Sequence, residues 1–237
     1  MGTATSVGNY GGPKLPYRGG RIDATGPGPS GVPAPDTDLP TTFQYFANAG
    51  FNKIDAIKLT ACGHTLGSVH HGGFPTVVNN STVTPNNTQG ASHLDTTNAQ
   101  FDIRVVNEYL TGTGELGGPL VTSFNVSSRS DLRLYTSDNN ATMRILSQST
   151  DLFFDVCVGV LSRAMNTVPE NVTLSGVIEP IEWKPMNTTF DCDGKSGKLI
   201  LTGMIRVSTF QASKRRIPAN NSPVAPCSGR RSKSSIH

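Results

Sequence analysis

Hydrophobic positions in the first 168 residues recur mostly at the spacing of an α-helix. The Gly- and Pro-rich stretch 1–37 lacks this spacing, so we expect it to be mostly loop. The last predicted helix carries the longest apolar stripe. The segments predicted to be helical are 39–50, the stretch from the N-cap Asn52 to Gly67, 101–110, 141–148 and 149–165.

The second of these helices places a histidine among apolar residues. At about 100° per residue, His64 falls on the same face as Ile54, Ile57, Ala61 and Thr65. A hydrogen-bonded core histidine is the ordinary interpretation. A zinc site of His64 with Cys62, His70 and His71 is a second interpretation, but this spacing matches no standard motif. A helix also turns residues 62 and 64 roughly 160° apart. A haem ligand is a third interpretation.

After Pro169 the pattern changes to alternation of apolar and polar residues. VTLSGVIEPIEW (172–183) and GKLILTGMIRVSTF (197–210) therefore predict strands. We expect a mainly α fold with long loops over 1–168 and the start of a short β-rich extension over 169–212. A basic, disordered tail is expected over 213–237.

Composition narrows the function classes. A net charge of +3 is too weak to indicate nucleic-acid binding, and no apolar stretch is long enough to span a membrane. Four cysteines allow three disulfide pairings, and none is preferred. Together with many N-x-S/T sequons they favour a secreted glycoprotein. The sequons begin at Asn79, Asn80, Asn86, Asn125, Asn140, Asn171, Asn187 and Asn220.

Four stretches follow one another along the chain: GGPKLPYRGGRIDATGPGPSGVPAP (11–35), DAIKLTACGHTLG (55–67), HLDTTNAQFD (93–102) and the stretch from SRSDLRLYTS (128–137) onward. In this order they resemble the plant, fungal and bacterial haem peroxidase superfamily, in its secreted fungal branch. The first stretch is similar to the family's loop between the distal and proximal halves, the second to its proximal helix, and the third to its proximal calcium loop. The fourth resembles the segment that supplies the partner of the proximal histidine.

The resemblance implies a cofactor, a metal and a reaction. His64 would be the axial ligand of haem b, and Asp131 would accept a hydrogen bond from the N–H group of its ring. Such a protein would reduce H₂O₂ and oxidise a small organic donor, acting as a secreted monomer without nucleic-acid or membrane partners. The ligands implied for Ca²⁺ are Thr65, Asp95, Thr97, the backbone carbonyl of Gln100, and Asp102.

The departures from the family pattern limit what we expect of the chain itself. The family's distal histidine and arginine precede the GGP loop, and here the residues before it contain neither. No catalytic residue is therefore assigned, and we expect a truncated proximal half with little or no peroxidase activity. Leu94 stands where the family usually has an aromatic residue, and the single tryptophan, Trp183, lies in a predicted strand. The alternative is a non-catalytic, secreted interaction module derived from this fold.

Overall fold

The structure, a computed structural model, describes residues 2–28, 31–179 and 183–207. It contains two compact units, Met1–Ile178 and Glu179–His237. The first unit is built from helices and long connections, and the second contains a two-stranded antiparallel ribbon. The fold is thus mainly α with a β-rich C-terminal part, as predicted. The proposed tail 213–237 lies outside the described residues.

All five predicted helices are present, with different limits. The helix predicted from Asn52 to Gly67 ends at Gly63. One short helix, Gly2–Asn9, lies in the stretch 1–37 that was expected to be loop. None of the helices among the described residues is both long and apolar enough to cross a bilayer. The helices are α1 (Gly2–Asn9), α2 (Leu39–Asn48), α3 (Lys53–Gly63), α4 (Arg104–Thr111), α5 (Pro119–Thr122), α6 (Ser130–Thr136), α7 (Ala141–Leu146) and α8 (Thr150–Asn166).

Side-chain caps explain where the longer helices begin. Asn52 accepts a hydrogen bond from the Asp55 N–H, and Asp55 accepts one from the Asn52 N–H, which forms a complete capping box at the start of α3. Asp38 caps α2 and Ser149 caps α8 in the same way, through the N–H of a residue in the first turn. These caps satisfy N–H groups that have no partner inside the helix.

Helix α3 is the centre of the first unit. It packs mainly against α8, and also against α2, α6 and α7. The disulfide Cys62–Cys157 joins α3 to α8 inside the core. The prediction that Ile54 faces the core is wrong, because its side chain is 40% exposed. Ile54 stands in the first turn of α3, whereas Ala61 and Cys62 near the other end are buried on different sides of the helix.

Two short strands, β1 (Ser68–His70) and β2 (Ala91–His93), pair antiparallel in the long connection after α3. Ser68 lies opposite His93, and His70 lies opposite Ala91. This pairing leads the chain back towards α3 before α4 begins.

The second unit contains β3 (Trp183–Cys192) and β4 (Leu199–Val207), paired antiparallel. Of the strand predicted over 172–183, Trp183 is the first residue of β3, and residues 180–182 lie outside the described part of the chain. The prediction is wrong for residues 172–179, which form only an isolated bridge from Val177 to Arg18. Their N–H groups bond the loop near the N-terminus instead, as when Ser175 donates to the Gly19 carbonyl at 3.0 Å. The predicted strand over 197–210 is confirmed as β4 up to Val207, beyond which the residues are not described.

Candidate functional site

His64 caps the C-terminal end of α3 and faces a carboxylate from α6. Its N–H still bonds the Thr60 carbonyl at 2.9 Å, so its backbone is fixed by the helix. Its ring atom Nδ1 lies 2.5 Å from Asp131 Oδ2, across 67 residues of sequence. Asp131 stands in the first turn of α6 and is buried. The fold therefore brings together the two residues that the sequence proposes as an axial ligand and its partner.

The electrostatics of this pair favour a proton between the two side chains. Burial lowers the pKa of His64, but the Asp131 charge and hydrogen bond oppose it, and the net pKa is raised. The side chain of His64 remains 31% exposed, while that of Asp131 is enclosed. With Nδ1–H donating to the carboxylate, the other ring nitrogen, Nε2, is the one left to bind a further partner.

Asp131 is held by two hydroxyl groups besides the histidine. Ser130 Oγ donates to Oδ1 at 3.1 Å, and the buried Tyr135 hydroxyl donates to Oδ2 at 3.4 Å. The Tyr135 ring packs edge-to-face on Tyr109, with ring centroids 5.1 Å apart. Burial and the Asp131 charge raise the pKa of Tyr135 well above its ordinary value, so Tyr135 stays a proton donor. Sequence reasoning missed this contact.

A cavity of about 480 Å³ adjoins His64 and Asp131. Thr42, Thr60 and Ser130 contribute its remaining polar groups. Its size falls in the range of about 300–1,000 Å³ that is usual for sites of small molecules and cofactors. The rest of the lining is apolar: Val32, Pro33, Ala34, Pro35, Phe46, Val69, Phe74, Leu120 and Leu134.

One wall of the cavity is fastened to α6 by an arginine. Arg133 Nη2 donates to the carbonyls of Pro35 and Thr37 at 2.7 and 3.0 Å. Because α6 also carries Asp131, the wall and the histidine's partner are positioned by the same helix. Sequence reasoning missed Arg133, since nothing in the local pattern around it points to residues about a hundred positions earlier.

A second polar group of atoms lies beside His64, in the loop before α4. Thr65 Oγ1 donates to the Asp102 carbonyl at 2.6 Å, and the Asp102 N–H donates to Thr65 Oγ1 at 3.2 Å. Thr97 Oγ1 lies 3.2 Å from Asp102 Oδ1 and 3.4 Å from Asp95 Oδ1. Gln100 joins the same loop through its N–H, which donates to the Thr97 carbonyl at 2.7 Å.

Asp95 is the residue of this group whose carboxylate is only partly hydrogen-bonded. Its Oδ2 atom is buried and has no hydrogen-bond partner in the described part of the chain. Burial raises the pKa of Asp95 to about 6, opposed by the Thr97 N–H and reinforced by the charges of Asp102 and Glu108. A buried carboxylate oxygen without a donor is costly unless a cation compensates it. The arrangement fits a hard cation that takes oxygen ligands.

Glu108 fastens this loop to α4 and was also missed by sequence reasoning. It is buried, its Oε1 accepts from the Thr96 hydroxyl, and its Oε2 accepts from the Glu115 N–H at 2.9 Å. Gly114 gives it room, because a Cβ there would lie 2.3 Å from Glu108 Cδ. A signal did exist: Glu108 follows the buried Val105 by three residues and so occupies an apolar position of α4.

The arrangement of the metal-binding side chains decides the zinc alternative. Cys62 forms a disulfide with Cys157, which removes it from any zinc site with His64. Within residues 2–28, 31–179 and 183–207 there is no group of three or more His, Cys, Asp or Glu side chains placed to hold a metal ion. A cation at Asp95 and Asp102 would therefore depend on hydroxyl and carbonyl oxygens as well.

Comparison with known proteins agrees with the fold. The family model described as Peroxidase matches residues 1–150. A "WSC domain-containing protein" of Arthroderma benhamiae is 35% identical over 211 residues, which cover 88% of this chain and 28% of the relative. The chain thus spans 28% of the length of that curated relative.

Proposed function

The chain belongs to the peroxidase family, and on this basis we propose that it forms the proximal side of a haem site. His64 would hold the haem iron through Nε2, and Asp131 accepts a hydrogen bond from the Nδ1–H group. The observation that carries the proposal is the 2.5 Å contact between His64 and Asp131 beside the apolar cavity. When bound, haem b would supply the redox chemistry that reduces H₂O₂ and oxidises a small organic donor.

The protein's own residues have three tasks in this proposal. Asp131 fixes the orientation and tautomer of the imidazole and makes it a stronger donor to iron. Arg133 holds the Pro35 wall in place, which keeps the cavity shaped for a flat apolar group. The apolar lining would limit the access of water to a group that His64 holds.

We propose Ca²⁺ as the cation of the neighbouring loop, with Thr65, Asp95, Thr97, Gln100 and Asp102 as its ligands. The support is the Asp95 oxygen that has no hydrogen-bond partner among the described residues, beside the carboxylate and hydroxyl oxygens of Asp102 and Thr97. Ca²⁺ takes six to eight such oxygen ligands. The side chain of Gln100 is exposed, so Gln100 would bind the cation through its backbone carbonyl.

A secretory origin is part of the proposal, supported by the disulfide in the core. We propose a monomer whose partners are H₂O₂ and a small organic donor, without nucleic acid or membrane. No residue of this chain is assigned to the peroxide side of the iron, so haem binding, not turnover, is the property to test.

The test is a haemin titration of the purified chain, followed by the Soret band. Wild type should give the spectrum of a histidine-ligated ferric haem, and His64→Ala should lose it. Asp131→Asn should weaken haemin binding about 10- to 100-fold. The matched control is His93→Ala, since His93 is exposed and does not line the cavity. If His64→Ala binds haemin with the affinity and spectrum of wild type, the proposal is wrong.

A second candidate is a non-catalytic interaction module on the peroxidase fold. The relative from Arthroderma benhamiae is named for a WSC domain, and no activity is part of that name. A chain that takes up no haemin, yet melts cooperatively at a temperature raised by Ca²⁺, would favour this second function.

A further inference from the structure

Two large apolar side chains flank the sequon asparagine Asn125 and stand in solvent. Phe124 is 58% exposed and Val126 is 68% exposed. Single exposed apolar residues are ordinary. Here, however, the two are the chain neighbours of one asparagine, and Val126 is itself the middle residue of the acceptor sequence Asn125–Val126–Ser127. Such a pair raises the question of what covers it.

Their exposure is imposed by the surrounding structure. Arg129 Nε donates to the Ser123 carbonyl at 2.7 Å, and Arg133 Nη1 donates to the Ser127 carbonyl at 2.8 Å. Ser123 Oγ in turn donates to the Thr76 carbonyl at 3.1 Å. Because the segment is fixed at both ends, Phe124 and Val126 are held at the surface.

The acceptor group of this sequon is available. Asn125 Oδ1 accepts from the Ser127 N–H at 3.1 Å and from Ser127 Oγ at 2.8 Å. Both bonds use the oxygen of the amide, and within the described residues no hydrogen bond engages Asn125 Nδ2. Ser127 itself is exposed. The nitrogen that would carry a sugar and the hydroxyl that the sequon requires therefore lie together at the surface.

The sequon at Asn140 has the same sequence pattern in different surroundings. The Tyr109 hydroxyl donates to Asn140 Oδ1 at 2.6 Å, which ties this amide to α4. Its third residue, Thr142, is buried, and the Thr142 hydroxyl donates to Asp138 Oδ2 at 2.6 Å. The structure thus separates the two sequons by their third residue, which is exposed in Ser127 and buried in Thr142.

We propose that Asn125 carries an N-linked glycan that covers Phe124 and Val126, and that Asn140 carries none. The proposal rests on the secretory origin proposed above. Nδ2 of Asn125 forms a bond to the anomeric carbon of an oligosaccharide carried on a lipid pyrophosphate. The bond from that carbon to the pyrophosphate oxygen breaks, the pyrophosphate leaves with the electron pair, and Nδ2 loses one proton. The C–H faces of the first sugars then shield the two apolar side chains from water.

The experiment uses the full chain, secreted from yeast behind a cleavable leader. Enzymatic removal of N-glycans in heavy-oxygen water converts each occupied asparagine to a mass-labelled aspartate. Peptide mass spectrometry should find the label at Asn125 and not at Asn140. Ser127→Ala, which keeps Asn125 but lacks the acceptor hydroxyl, should lose the label, whereas the matched Ser127→Thr should keep it. An unlabelled Asn125 in the secreted wild type, or a label at Asn140, overturns the proposal.

The covering role has its own readout. Asn125→Gln should bind more of a fluorescent apolar dye than glycosylated wild type, and adding Phe124→Ser and Val126→Ser should reverse the increase. An Asn125→Gln variant with unchanged dye binding shows that the glycan does not cover this surface. The native protein tests the premise separately, because absence of glycan at every sequon there would contradict secretory origin. The recombinant result for Asn125 would still stand.

Discussion

Removing the disulfide between α3 and α8 should cost this protein a large part of its stability. Cys62 and Cys157 are both buried in the core, and the bond between them closes a loop with a sequence separation of 95 residues. The proposed perturbation is the double variant Cys62→Ala/Cys157→Ala, which removes the crosslink and leaves small apolar side chains on both helices.

The magnitude follows from the length of the loop. A crosslink over a separation of 95 residues lowers the entropy of the unfolded chain by an amount worth about 4.7 kcal/mol at room temperature. The lost packing of two buried sulfur atoms adds to this cost. With a urea dependence of about 2 kcal/mol per molar, the midpoint of unfolding should fall by roughly 2 M.

The assay is urea unfolding followed by far-ultraviolet circular dichroism. Wild type with and without reductant gives the effect of all disulfides, including the one formed by Cys192. The double variant with and without reductant isolates the effect of the Cys192 bond, so the difference belongs to Cys62–Cys157. A midpoint shift of less than about 0.5 M at an unchanged slope would refute the reasoning. Helix packing alone would then hold α3 against α8.

Substitutions at three further residues test the haem side and the cation side of the site. In the absence of Ca²⁺, burial raises the pKa of Asp95 from 3.8 to about 6. Between these two pH values the folded state keeps a proton that the unfolded state has released. Stability therefore falls as the pH rises from about 4 to about 6. Asp95→Asn should therefore be more stable than metal-free wild type near neutral pH, by up to about 3 kcal/mol. In calorimetry its melting temperature should not respond to Ca²⁺. A Ca²⁺ response equal to that of wild type would contradict the proposed calcium site. Glu108→Gln removes one of the charges that raise the pKa of Asp95 in the folded state. In a series of melts the fall in stability should therefore end at lower pH and be smaller in total. An unchanged profile would show that the Glu108 charge has no effect there. Arg133→Ala should lower the free energy of unfolding in urea by about 2 kcal/mol and bind haemin more weakly. Arg133→Lys should recover only part of this stability and affinity, because lysine lacks the planar guanidinium that donates to two carbonyls. Full recovery would show that only the charge of Arg133 matters.

The helical elements were predictable because their information is local. Helix α8 has an apolar stripe at the helical period, and α3 begins at a capping asparagine recognisable from sequence. Local patterns fail where tertiary contacts decide. Ile54 has the phase of a buried residue, yet it is exposed because it stands in the first turn of α3.

Strand β3 was missed for a different reason. It contains Pro185 and the polar run Asn187–Thr188–Thr189, which conceal the alternation that marks a strand. The register shift between Met186 and Thr189, with Asn187 at a positive φ of 49°, breaks the alternation further. Pairing with β4 organises this stretch, and pairing is invisible in the sequence of one strand.

The candidate site needed information of longer range than any period. Periodicity predicts only that His64 points inward, whereas its contact with Asp131 spans 67 residues. The order of family motifs made Asp131 a candidate, and the structure brings the two together. Neither the helical periodicity nor the order of family motifs pointed to Glu108, to Arg133 or to the pairing of Cys62 with Cys157. These depend on how α3, α4, α6 and α8 approach one another.

The two proposed sites share one peptide bond, and this links their chemistry. His64 bonds Asp131 on α6, while Thr65, the next residue, bonds both backbone groups of Asp102 before α4. A cation that draws Asp102 and Thr97 towards Asp95 must therefore act on the backbone that carries the His64 ring. If Ca²⁺ strengthens haemin binding, haemin must strengthen Ca²⁺ binding by the same factor. Haemin titrations of wild type with and without Ca²⁺, and calcium titrations with and without haemin, thus measure a single coupling from opposite ends. Asp95→Asn should abolish the effect of Ca²⁺ on haemin binding, and His64→Ala should abolish the effect of haemin on Ca²⁺ binding.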